Sequence, residues 1–485
     1  MKNKFVFVDL SIDGGYYGVN HGISYLVPII KKHSYEVSIL HLTKRLSNRK
    51  FRGKIEKLKP QIVGFSFTSP QLKYFRKYSN AIAGLPNLIQ IAGGVGPTLS
   101  PELVFERSNI QGIVIGEGEK PLDQLLDNLN DGRDIYHIEG FYWKKNGALI
   151  KNPVPAFTVD LSALDFPDYS DFERSVVVSP ENNSLSVMLS RGCPYNCTYC
   201  SNKTLREKYP STTGYFRLPS VGYSVAFLEK LTGRYSDIDS IEFFDDLLIA
   251  NKGWFIEFAE QYKKKINIPC RLNVRAELIN AEIIEALKRM RCYSVFIGLE
   301  SGNEALRKSI LNRHYSNELF IEKSKMIKDA GIDLYTFNIV GFPGETIAQM
   351  NETYEFNKQI DADDGKCSFF YPFPGTKLYE VCEKGKLLLS DKEMQKITNY
   401  NTKPVIKLDH RKECIAIQRM ITNYFTEKYY RRKYCNLYAS KPTIFTLILW
   451  IKTRILRSRS VSELTHNRFL RKAFVDIKNH LIDKS

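Results

Sequence analysis

Three cysteines lie within a stretch of eight residues and have a spacing suited to metal chemistry. Cys193, Cys197 and Cys200 follow the pattern C-x3-C-x2-C, and Tyr199 stands directly before the last of them. Three thiolates on one short loop can bind three irons of a [4Fe–4S] cluster, whose usual complement is four cysteines. If no fourth cysteine binds, one iron stays open to hold and activate a small molecule. The spacing therefore predicts an iron–sulfur site with an open coordination position.

Two other uses of these cysteines fit the sequence less well. A structural zinc ion usually has four ligands, often from two separated pairs, and no C-x2-C or H-x3-H pair follows the loop. A disulfide framework is disfavoured because closely spaced cysteines of this kind are more often metal or redox sites. The other six cysteines are scattered singly, at Cys270, Cys292, Cys367, Cys382, Cys414 and Cys435.

The loop resembles the signature of the radical S-adenosylmethionine (SAM) superfamily, in which an aromatic residue precedes the third cysteine. The resemblance implies that Cys193, Cys197 and Cys200 bind the cluster, and that its open iron chelates the amino and carboxylate groups of SAM. Reduction of the cluster then cleaves SAM to a 5′-deoxyadenosyl radical, which removes a hydrogen atom from the substrate. The resemblance also implies that Tyr199 flanks the adenine pocket through its backbone.

The first 130 or so residues alternate between short apolar runs and segments with helical spacing of apolar residues. Strands are predicted at residues 5–10, 37–40, 62–67, 88–92 and 112–115, and helices at residues 21–33, 71–83 and 120–129. This alternation predicts an α/β fold with a doubly wound parallel sheet, whose ligands lie beyond the carboxyl ends of the strands. Glycine-rich loops at residues 93–98 and 116–119 follow two of these strands and permit a bulky ligand to approach the backbone.

These loops do not form a G-x-G-x-x-G dinucleotide site after the first strand. They resemble instead the flavodoxin-like or Rossmann-like cobalamin-binding domain that is fused upstream of many radical SAM enzymes, over most of residues 1–145. The resemblance implies that cobalamin is contacted by Ser66, Thr68, Gly93, Gly94, Gly96, Glu117 and Gly118.

The first loop departs from the better-known cobalamin domains, whose D-x-H-x-x-G motif supplies a histidine ligand to cobalt. His21 does not have that spacing, and we expect it to be a helix N-terminal residue. The departure fits a cobalamin bound without a histidine ligand, and it also fits a degenerate domain that binds none.

Residues 146–183 contain several prolines without sustained periodicity, which predicts an ordered linker. Over residues 184–380 six strands are predicted, at residues 185–189, 240–244, 272–274, 294–298, 334–340 and 366–370. Helices are predicted between them at residues 254–265, 281–290 and 319–330. Six such units suggest an open partial (β/α)6 barrel, the fold of radical SAM enzymes, in which loops at the C-terminal ends of the strands carry the chemistry. The cysteine loop follows the first of these strands.

Polar residues recur at the ends of these strands, where a carboxylate can accept hydrogen bonds from the ribose or the ammonium group of SAM. Glu300 lies in Gly298-Leu-Glu-Ser-Gly302, which resembles the fourth-strand SAM motif of the family. Arg275 is expected either to bind the SAM carboxylate or to pair with Glu277 or an aspartate. The residues predicted to bind SAM, besides Tyr199, are Asp245, Asn273, Arg275, Glu300, Ser301, Asn338 and Gly341.

Three further features at strand ends have a less specific interpretation. Asp246 and Thr346 are predicted to be helix N-caps, where these residue types are favoured. The loop Tyr371-Pro-Phe-Pro-Gly375 follows the sixth strand, and contact with substrate and contact with SAM fit it equally well.

Residues 381–485 have a helical, aromatic and basic pattern, with helices predicted at residues 415–430 and 443–456. The apolar run at residues 443–451 is too short to cross a bilayer. Basic residues follow it, so peripheral contact with a membrane surface is one interpretation. Packing over the barrel mouth is the preferred one. The net charge of +17 permits an anionic partner, and a lysine-rich solvated surface explains it equally well.

The sequence therefore predicts a cobalamin-dependent radical SAM enzyme that methylates an unactivated carbon of a small molecule. A radical SAM cyclase or rearrangement enzyme is the alternative, followed by a non-catalytic cobalamin-binding regulator. Enzymes that methylthiolate RNA carry further cysteines in their N-terminal domain, which this sequence lacks. RNA methylthiolation is therefore disfavoured, and no nucleic-acid partner is expected. We expect an electron donor such as flavodoxin or ferredoxin. Nine cysteines and the absence of an N-terminal export signal predict a cytoplasmic location.

Overall fold

The structure, a computed structural model, describes residues 3–12, 18–397, 399 and 401–433. The chain divides into two compact units, Met1–Ile421 and Thr422–Ser485. The second unit is described only over residues 422–433. The predicted helix at residues 443–456 and Cys435 therefore lie outside the described residues, as does the middle of the first loop, residues 13–17.

The first unit begins with a seven-stranded sheet in the order β2-β1-β3-β4-β5-β6-β7, in which β1 to β5 are parallel. Residues 5–10 of β1 are all buried, as expected for a central strand covered on both faces. The strands are β1 Lys4–Leu10, β2 Glu36–Leu42, β3 Ile62–Ser66, β4 Ile89–Gly93 and β5 Gly112–Val114; the helices are α1 His21–Lys32, α2 Asn48–Leu58, α3 Leu72–Ala81, α4 Val95–Leu99, α5 Pro101–Phe105 and α6 Glu119–Asn130.

An antiparallel hairpin completes this sheet and corrects the predicted linker. Strands β6 (Phe141–Lys145) and β7 (Ala148–Lys151) are joined by Asn146 and Gly147, both with positive φ. An Asn-Gly pair between two strands is a strong hairpin signal, because both central residues of a type I′ turn need positive φ. The boundary predicted at residue 145 falls inside the hairpin, so residues 146–151 belong to the first sheet.

A second, six-stranded sheet carries its strands in chain order from β8 to β13, all in parallel. Because β8 and β13 stand at the two edges, the sheet is an open partial barrel, and the predicted α/β fold class is confirmed. The strands are β8 Ser184–Val187, β9 Ser240–Phe243, β10 Cys270–Val274, β11 Cys292–Glu300, β12 Asp333–Val340 and β13 Asp364–Phe369.

Helices alternate with these strands and continue beyond the last one. They are α7 Arg174–Val177, α8 Ser201–Arg206, α9 Val221–Arg234, α10 Lys252–Lys265, α11 Ala281–Arg289, α12 Glu304–Ser309, α13 Asn317–Asp329, α14 Ile347–Gln359, α15 Lys377–Lys384, α16 Asp391–Lys396 and α17 Arg411–Lys433. Short 3-10 turns occur at Ser69–Gln71, Leu161–Ala163, Leu248–Ala250 and Ala276–Leu278. In the described part of the chain, no helix combines the length and the apolarity needed to cross a bilayer.

Candidate functional site

The cysteine loop leaves the barrel at the carboxyl end of β8 and is fixed there by a buried carboxylate. Asp245, which follows β9, accepts hydrogen bonds through Oδ1 from the Leu189 amide at 2.9 Å and the Ser190 hydroxyl at 2.6 Å, and from the Ser190 amide. Burial raises the pKa of Asp245 to about 6. The residue predicted to bind SAM thus holds the start of the cluster loop.

Glycine is required at the turn into the first cysteine. Gly192 has φ = +81°, and a Cβ atom there would lie 2.6 Å from the Tyr215 carbonyl oxygen. Any side chain at this position would therefore displace the loop.

The three thiols are arranged for a group larger than a single metal ion. Cys197 is buried and the other two are partly exposed, and burial raises the pKa of Cys193 to about 11 and of Cys200 to about 12. Sulfurs on one zinc ion lie about 3.8 Å apart, since each Zn–S bond is about 2.3 Å. The three Sγ atoms here do not all lie within 4.8 Å of one another. This spacing and the all-thiol donor set fit an iron–sulfur cluster.

A cationic side chain approaches the cysteine loop from the carboxyl end of β10. Arg275 lies after β10, donates from Nη1 to the Cys197 sulfur at 3.4 Å, and stacks 3.6 Å above the Tyr195 ring. Its Nη2 donates to the Glu277 carboxylate at 2.5 Å. Of the partners left open for Arg275, the structure therefore shows Glu277, together with a cluster cysteine. A cation beside a thiolate stabilises its charged form.

Glu300 lies at a break in strand pairing and faces the cluster loop through a buried arginine. Its φ is +65°, and the register of β11 against β12 shifts between Gly298 and Glu300. Arg313 donates from Nη1 to Glu300 Oε1 at 3.1 Å and to the Tyr199 hydroxyl at 3.0 Å. A Cβ at Gly298 would lie 2.4 Å from Glu300 Oε1, so the glycine makes room for the carboxylate. The strained backbone here is the kind of feature that clusters at functional sites.

We expect Arg313→Met to destabilise the protein by about 3–5 kcal/mol, because it leaves the buried Glu300 carboxylate without its cation. The matched control is Arg289→Met, whose partner Glu260 is half exposed, and it should cost under about 1 kcal/mol. Urea denaturation of both variants and of Arg313→Met combined with Glu300→Gln measures the difference. Equal losses in the two arginine variants would contradict the prediction, whereas the double variant should recover most of the stability.

The other residues predicted to bind SAM are held by the protein itself. Ser301 is fully buried and its hydroxyl lies 3.5 Å from that of Thr353. The Asn338 amide bonds to Thr336 at 3.0 Å and to Asn357 at 2.8 Å. The Asn273 amide donates to the backbone oxygen of Asp245 at 2.7 Å. These polar side chains fix the strand ends on which the site is built, and their contact with SAM stays a prediction.

One of the two predicted helix caps is correct. Thr346 caps α14 in a capping box with Gln349. The prediction for Asp246 is wrong, because the short helix beginning at Leu248 is preceded by Leu247 at the cap position. Asp246 instead accepts a hydrogen bond from Asn202 at 3.1 Å, and Asn202 also donates to the Cys200 sulfur at 3.7 Å. This connects the carboxylate to the cluster loop.

The glycine loop after β12 is tied down by a carboxyl group that the sequence did not single out. Gly341 has φ = +79°, and its amide donates to Glu345 Oε2 at 2.6 Å. The Phe342 amide donates to the same oxygen at 3.1 Å, while Glu345 Oε1 has no partner among the described residues. Burial raises the pKa of Glu345 to about 8.

Because this folded-state pKa lies above the usual value of 4.5, the folded chain binds more protons than the unfolded chain between pH 4.5 and pH 8. The contribution of Glu345 to stability is therefore full below pH 4.5 and falls as the pH rises towards 8. We expect Glu345→Gln to lose this pH dependence, and Glu345→Ala to cost about 1–3 kcal/mol through the unpaired amides. Urea midpoints of the wild type and both variants at pH 5.5 and 8.0 measure the effect. An identical pH dependence in wild type and Gln variant would refute it.

A cavity of about 480 Å³ lies at the carboxyl ends of the first sheet. Its walls include Ser66, Thr68, Gly93, Gly94, Glu117 and Gly118, six of the seven residues predicted to contact cobalamin. The seventh, Gly96, is not among its lining residues. It packs α4 against the loop that follows β3, since a Cβ there would lie 2.9 Å from the Phe67 carbonyl oxygen.

The polar residues of this cavity are organised around its first loop. Asn20 donates to Asp9 at 2.8 Å and to the Ser66 hydroxyl at 3.0 Å. Gly94 has φ = +90°, and a Cβ there would come within 3.1 Å of that same hydroxyl. The glycine therefore keeps a surface on which a large flat ligand can approach the backbone.

His21 occupies the first position of α1, with Asn20 as its N-cap, so the expected helix N-terminal role is confirmed. Its Nδ1 lies 3.0 Å from the Tyr169 hydroxyl and its Nε2 lies 3.4 Å from the Ser186 hydroxyl. Burial lowers the pKa of His21 to about 3. Both ring nitrogens thus have protein partners.

The same cavity is also lined by the barrel, through residues leading into the cysteine loop and around α8: Met188, Ser190, Arg191, Gly192, Leu205 and Tyr209. Arg191 pairs with Glu117 at 3.3 Å and with Glu119 at 2.5 Å, and it lies 4.5 Å from the Tyr25 ring centroid. The Tyr209 hydroxyl accepts from the Glu117 amide at 2.8 Å. The cavity therefore joins the first sheet directly to the cluster loop.

Glu117 has a more complex position than its predicted role implies. Its carboxylate also pairs with Arg217 at 2.7 Å and accepts from the Thr158 amide at 2.9 Å. These two arginines lower the pKa of Glu117 despite its burial. It lines the cavity, and its carboxylate joins the two sheets. The roles of Arg191 and Arg217 were not predicted from the sequence, although an arginine two residues before the first cysteine was a visible signal.

A parallel sheet with a glycine-lined cavity, joined to a half-barrel with a three-cysteine loop, defines a two-domain class of radical enzyme. Comparison with protein families agrees. The Radical SAM superfamily model matches residues 187–356, and the B12 binding domain model matches residues 9–126. The chain therefore contains a radical SAM domain, and a B12-binding domain precedes it. Its cofactors are a [4Fe–4S] cluster, SAM and cobalamin.

Among curated proteins, an uncharacterized methyltransferase of Pyrococcus horikoshii, PH0819, is 28% identical over 80% of this chain and 83% of its own length. The anaerobic magnesium-protoporphyrin IX monomethyl ester cyclase of Rubrivivax gelatinosus is 25% identical over 85% of this chain and 76% of its own.

Solved structures of the same fold include the radical SAM methyltransferase TsrM from Kitasatospora setae with cobalamin and [4Fe–4S] cluster bound. It has a TM-score of 0.64 and 16% identity, covering 79% of this chain and 78% of its own. The cobalamin-dependent radical enzyme OxsB, with aqua-cobalamin and SAM bound, has a TM-score of 0.68 and 18% identity, covering 97% of this chain and 75% of its own.

Proposed function

We propose that this protein is a cobalamin-dependent radical SAM methyltransferase that transfers a methyl group to an unactivated carbon of a small molecule. The observation that carries the proposal is one cavity lined both by the loops of the B12-binding domain and by Met188, Ser190, Arg191 and Gly192, which lead into the cysteine loop. A methyl donor and a radical source must face one substrate, and a cavity shared in this way supports such an arrangement.

When bound, the cofactors supply a 5′-deoxyadenosyl radical from SAM and a methyl group carried on cobalt. The chain's own residues hold them in place. Cys193, Cys197 and Cys200 are the proposed cluster ligands, and Arg275 places a positive charge beside Cys197. The Glu300–Arg313 pair contacts Tyr199 and so fixes the side of the cluster loop on which we place SAM.

Ion pairs link the first domain to the barrel beside the large cavity. Arg191 and Arg217 are both largely buried against Glu117 and Glu119, so their hydrogen bonds form in a low-dielectric setting. Because Arg191 lies two residues before Cys193, this network positions the cluster loop relative to the B12-binding domain.

A radical cyclase is the second candidate, because a relative of similar coverage is named as an anaerobic cyclase. Anaerobic reconstitution with iron, sulfide, hydroxocobalamin and methyl-labelled SAM, with dithionite as the reductant for cluster and cobalt, separates the two. Methyltransfer predicts both deoxyadenosine and label in the cobalamin fraction. Deoxyadenosine without labelled cobalamin would favour the cyclase, and absence of both would favour a non-catalytic binding protein.

The enzyme needs a reductant and a small-molecule substrate. We further propose flavodoxin or ferredoxin as the electron donor. We also propose a cytoplasmic location, since eight of the nine cysteines are described and none of the eight forms a disulfide. Contact of the basic C-terminal region with a membrane surface rests on residues outside the described ones and stays a hypothesis.

A further inference from the structure

A second cavity, of about 310 Å³, lies beside the large one. Thr68 lines the large cavity, and the next residue, Ser69, lines the small one. Its lining also includes Tyr371, two residues after the end of β13. The small cavity therefore adjoins the carboxyl ends of both sheets, where substrate has to reach the cofactors.

One wall of this cavity carries a buried polar group that has no partner in the described part of the chain. The Ser69 side chain is buried, its residue being 9% exposed, and its hydroxyl has no hydrogen-bond partner among the described residues. The Nε of Arg76 is likewise unpartnered, although its Nη2 donates to the Leu103 carbonyl oxygen at 2.7 Å. Buried polar groups in native proteins are nearly always paired with protein, ligand or ordered water, so these two donors are open to a partner supplied from the cavity.

The charge of the lining indicates what kind of ligand this is. Lys73, Arg76 and Arg107 bring three positive charges, and Asp391, which pairs with Arg107 at 2.9 Å, brings one negative charge. Arg76 also lies 4.0 Å from the Glu106 carboxylate, and the Lys73 ammonium donates to the Ile397 carbonyl oxygen. Two of the cations come from the first turns of α3, next to Ser69. The rest of the lining is largely aromatic or apolar: Ile12, Leu72, Tyr74, Tyr371, Met394 and Val405.

We propose that this cavity binds the acidic group, a carboxylate or a phosphate, of the substrate, with Ser69, Lys73 and Arg76 as its donors. The substrate is thus a small organic acid whose apolar or aromatic body extends between the two domains towards the cysteine loop. Charge-assisted hydrogen bonds from lysine and arginine are the usual means of holding such groups. The identification of this ligand as the substrate rests on the proposed function. The proposal that the cavity binds an acidic group does not depend on it.

Calorimetry on the anaerobically reconstituted protein tests this with four probes: 3-phenylpropanoate, phenyl phosphate, the uncharged 3-phenylpropanol and inorganic phosphate. We expect at least one of the aromatic acids to bind, and the alcohol to bind at least about tenfold more weakly.

Lys73→Met and Arg76→Met should each weaken binding of the acid by about tenfold, and Ser69→Ala should weaken it by a smaller factor. Lys77→Met is the matched control, because Lys77 lies one turn further along α3, donates to the Leu46 carbonyl oxygen and does not line the cavity. The affinity of the Lys77→Met variant for the acid should equal that of the wild type.

Equal binding of acid and alcohol would overturn the proposal, as would equal losses in Lys73→Met and Lys77→Met. Binding of inorganic phosphate without either aromatic acid would also overturn it, because the site would then hold a free anion. The binding readout does not depend on turnover. Loss of SAM cleavage with acid binding intact would therefore refute the proposed function alone, and intact cleavage without acid binding would refute this inference alone.

Discussion

Cys197→Ala is expected to abolish the broad absorbance of the cluster near 400 nm and to reduce SAM cleavage by more than about 100-fold. Loss of a partner that only orients a metal ligand typically costs about 10- to 100-fold, and removal of a ligand itself costs more. Cys197 is the buried member of the three and the one that Arg275 contacts. Anaerobic reconstitution followed by absorption spectroscopy and quantification of 5′-deoxyadenosine measures both effects.

Cys292→Ala is the matched control for this experiment. Cys292 is also a buried free thiol, but it begins β11, whereas the site lies at the other end of that strand, at Glu300. Its replacement should leave the spectrum and the cleavage rate unchanged. If Cys197→Ala retained cluster absorbance and cleavage, the assignment of the cluster to this loop would fail.

Gly93→Leu is expected to weaken cobalamin binding by about 10- to 100-fold, since overpacking a filled site costs about 1–3 kcal/mol. Gly93 lines the large cavity, and a Cβ there meets its nearest neighbour, Val114, at an ordinary 3.7 Å. The backbone thus accepts a side chain at this position, and the added atoms compete with the ligand. Retention of hydroxocobalamin after gel filtration measures the loss, while the iron content should stay constant.

Gly53→Leu serves as the control in the same domain. Gly53 is exposed in α2, and no atom lies within 4 Å of a Cβ placed there. This variant should bind cobalamin like the wild type. Equal retention by Gly93→Leu and Gly53→Leu would show that cobalamin does not occupy the cavity, even though both domains fold.

The parallel strands of both sheets were readable in the sequence because parallel strands buried on both faces appear as continuous apolar runs. The alternation of strands with helices also predicted the order of the six barrel strands along the chain. The hairpin at Asn146 and Gly147 was missed because its strands are short and half exposed, although its turn signal was present. The Asp246 cap was wrong because a cap depends on where the next helix begins, and local sequence fixes that boundary poorly.

The sequence by itself determined the chemistry of this protein: three cysteines at a fixed spacing, glycine loops after buried strands, and the order of two α/β domains. Only the tertiary structure decided how the polar residues pair. Asp245 with Ser190, Arg313 with Tyr199 and Arg191 with Glu119 are separated by 55, 114 and 72 residues. Local periodicity reports which face of an element is buried. The partner of a buried charge is set instead by which strand ends meet in space, because a desolvated charge is stable only beside the group that compensates it.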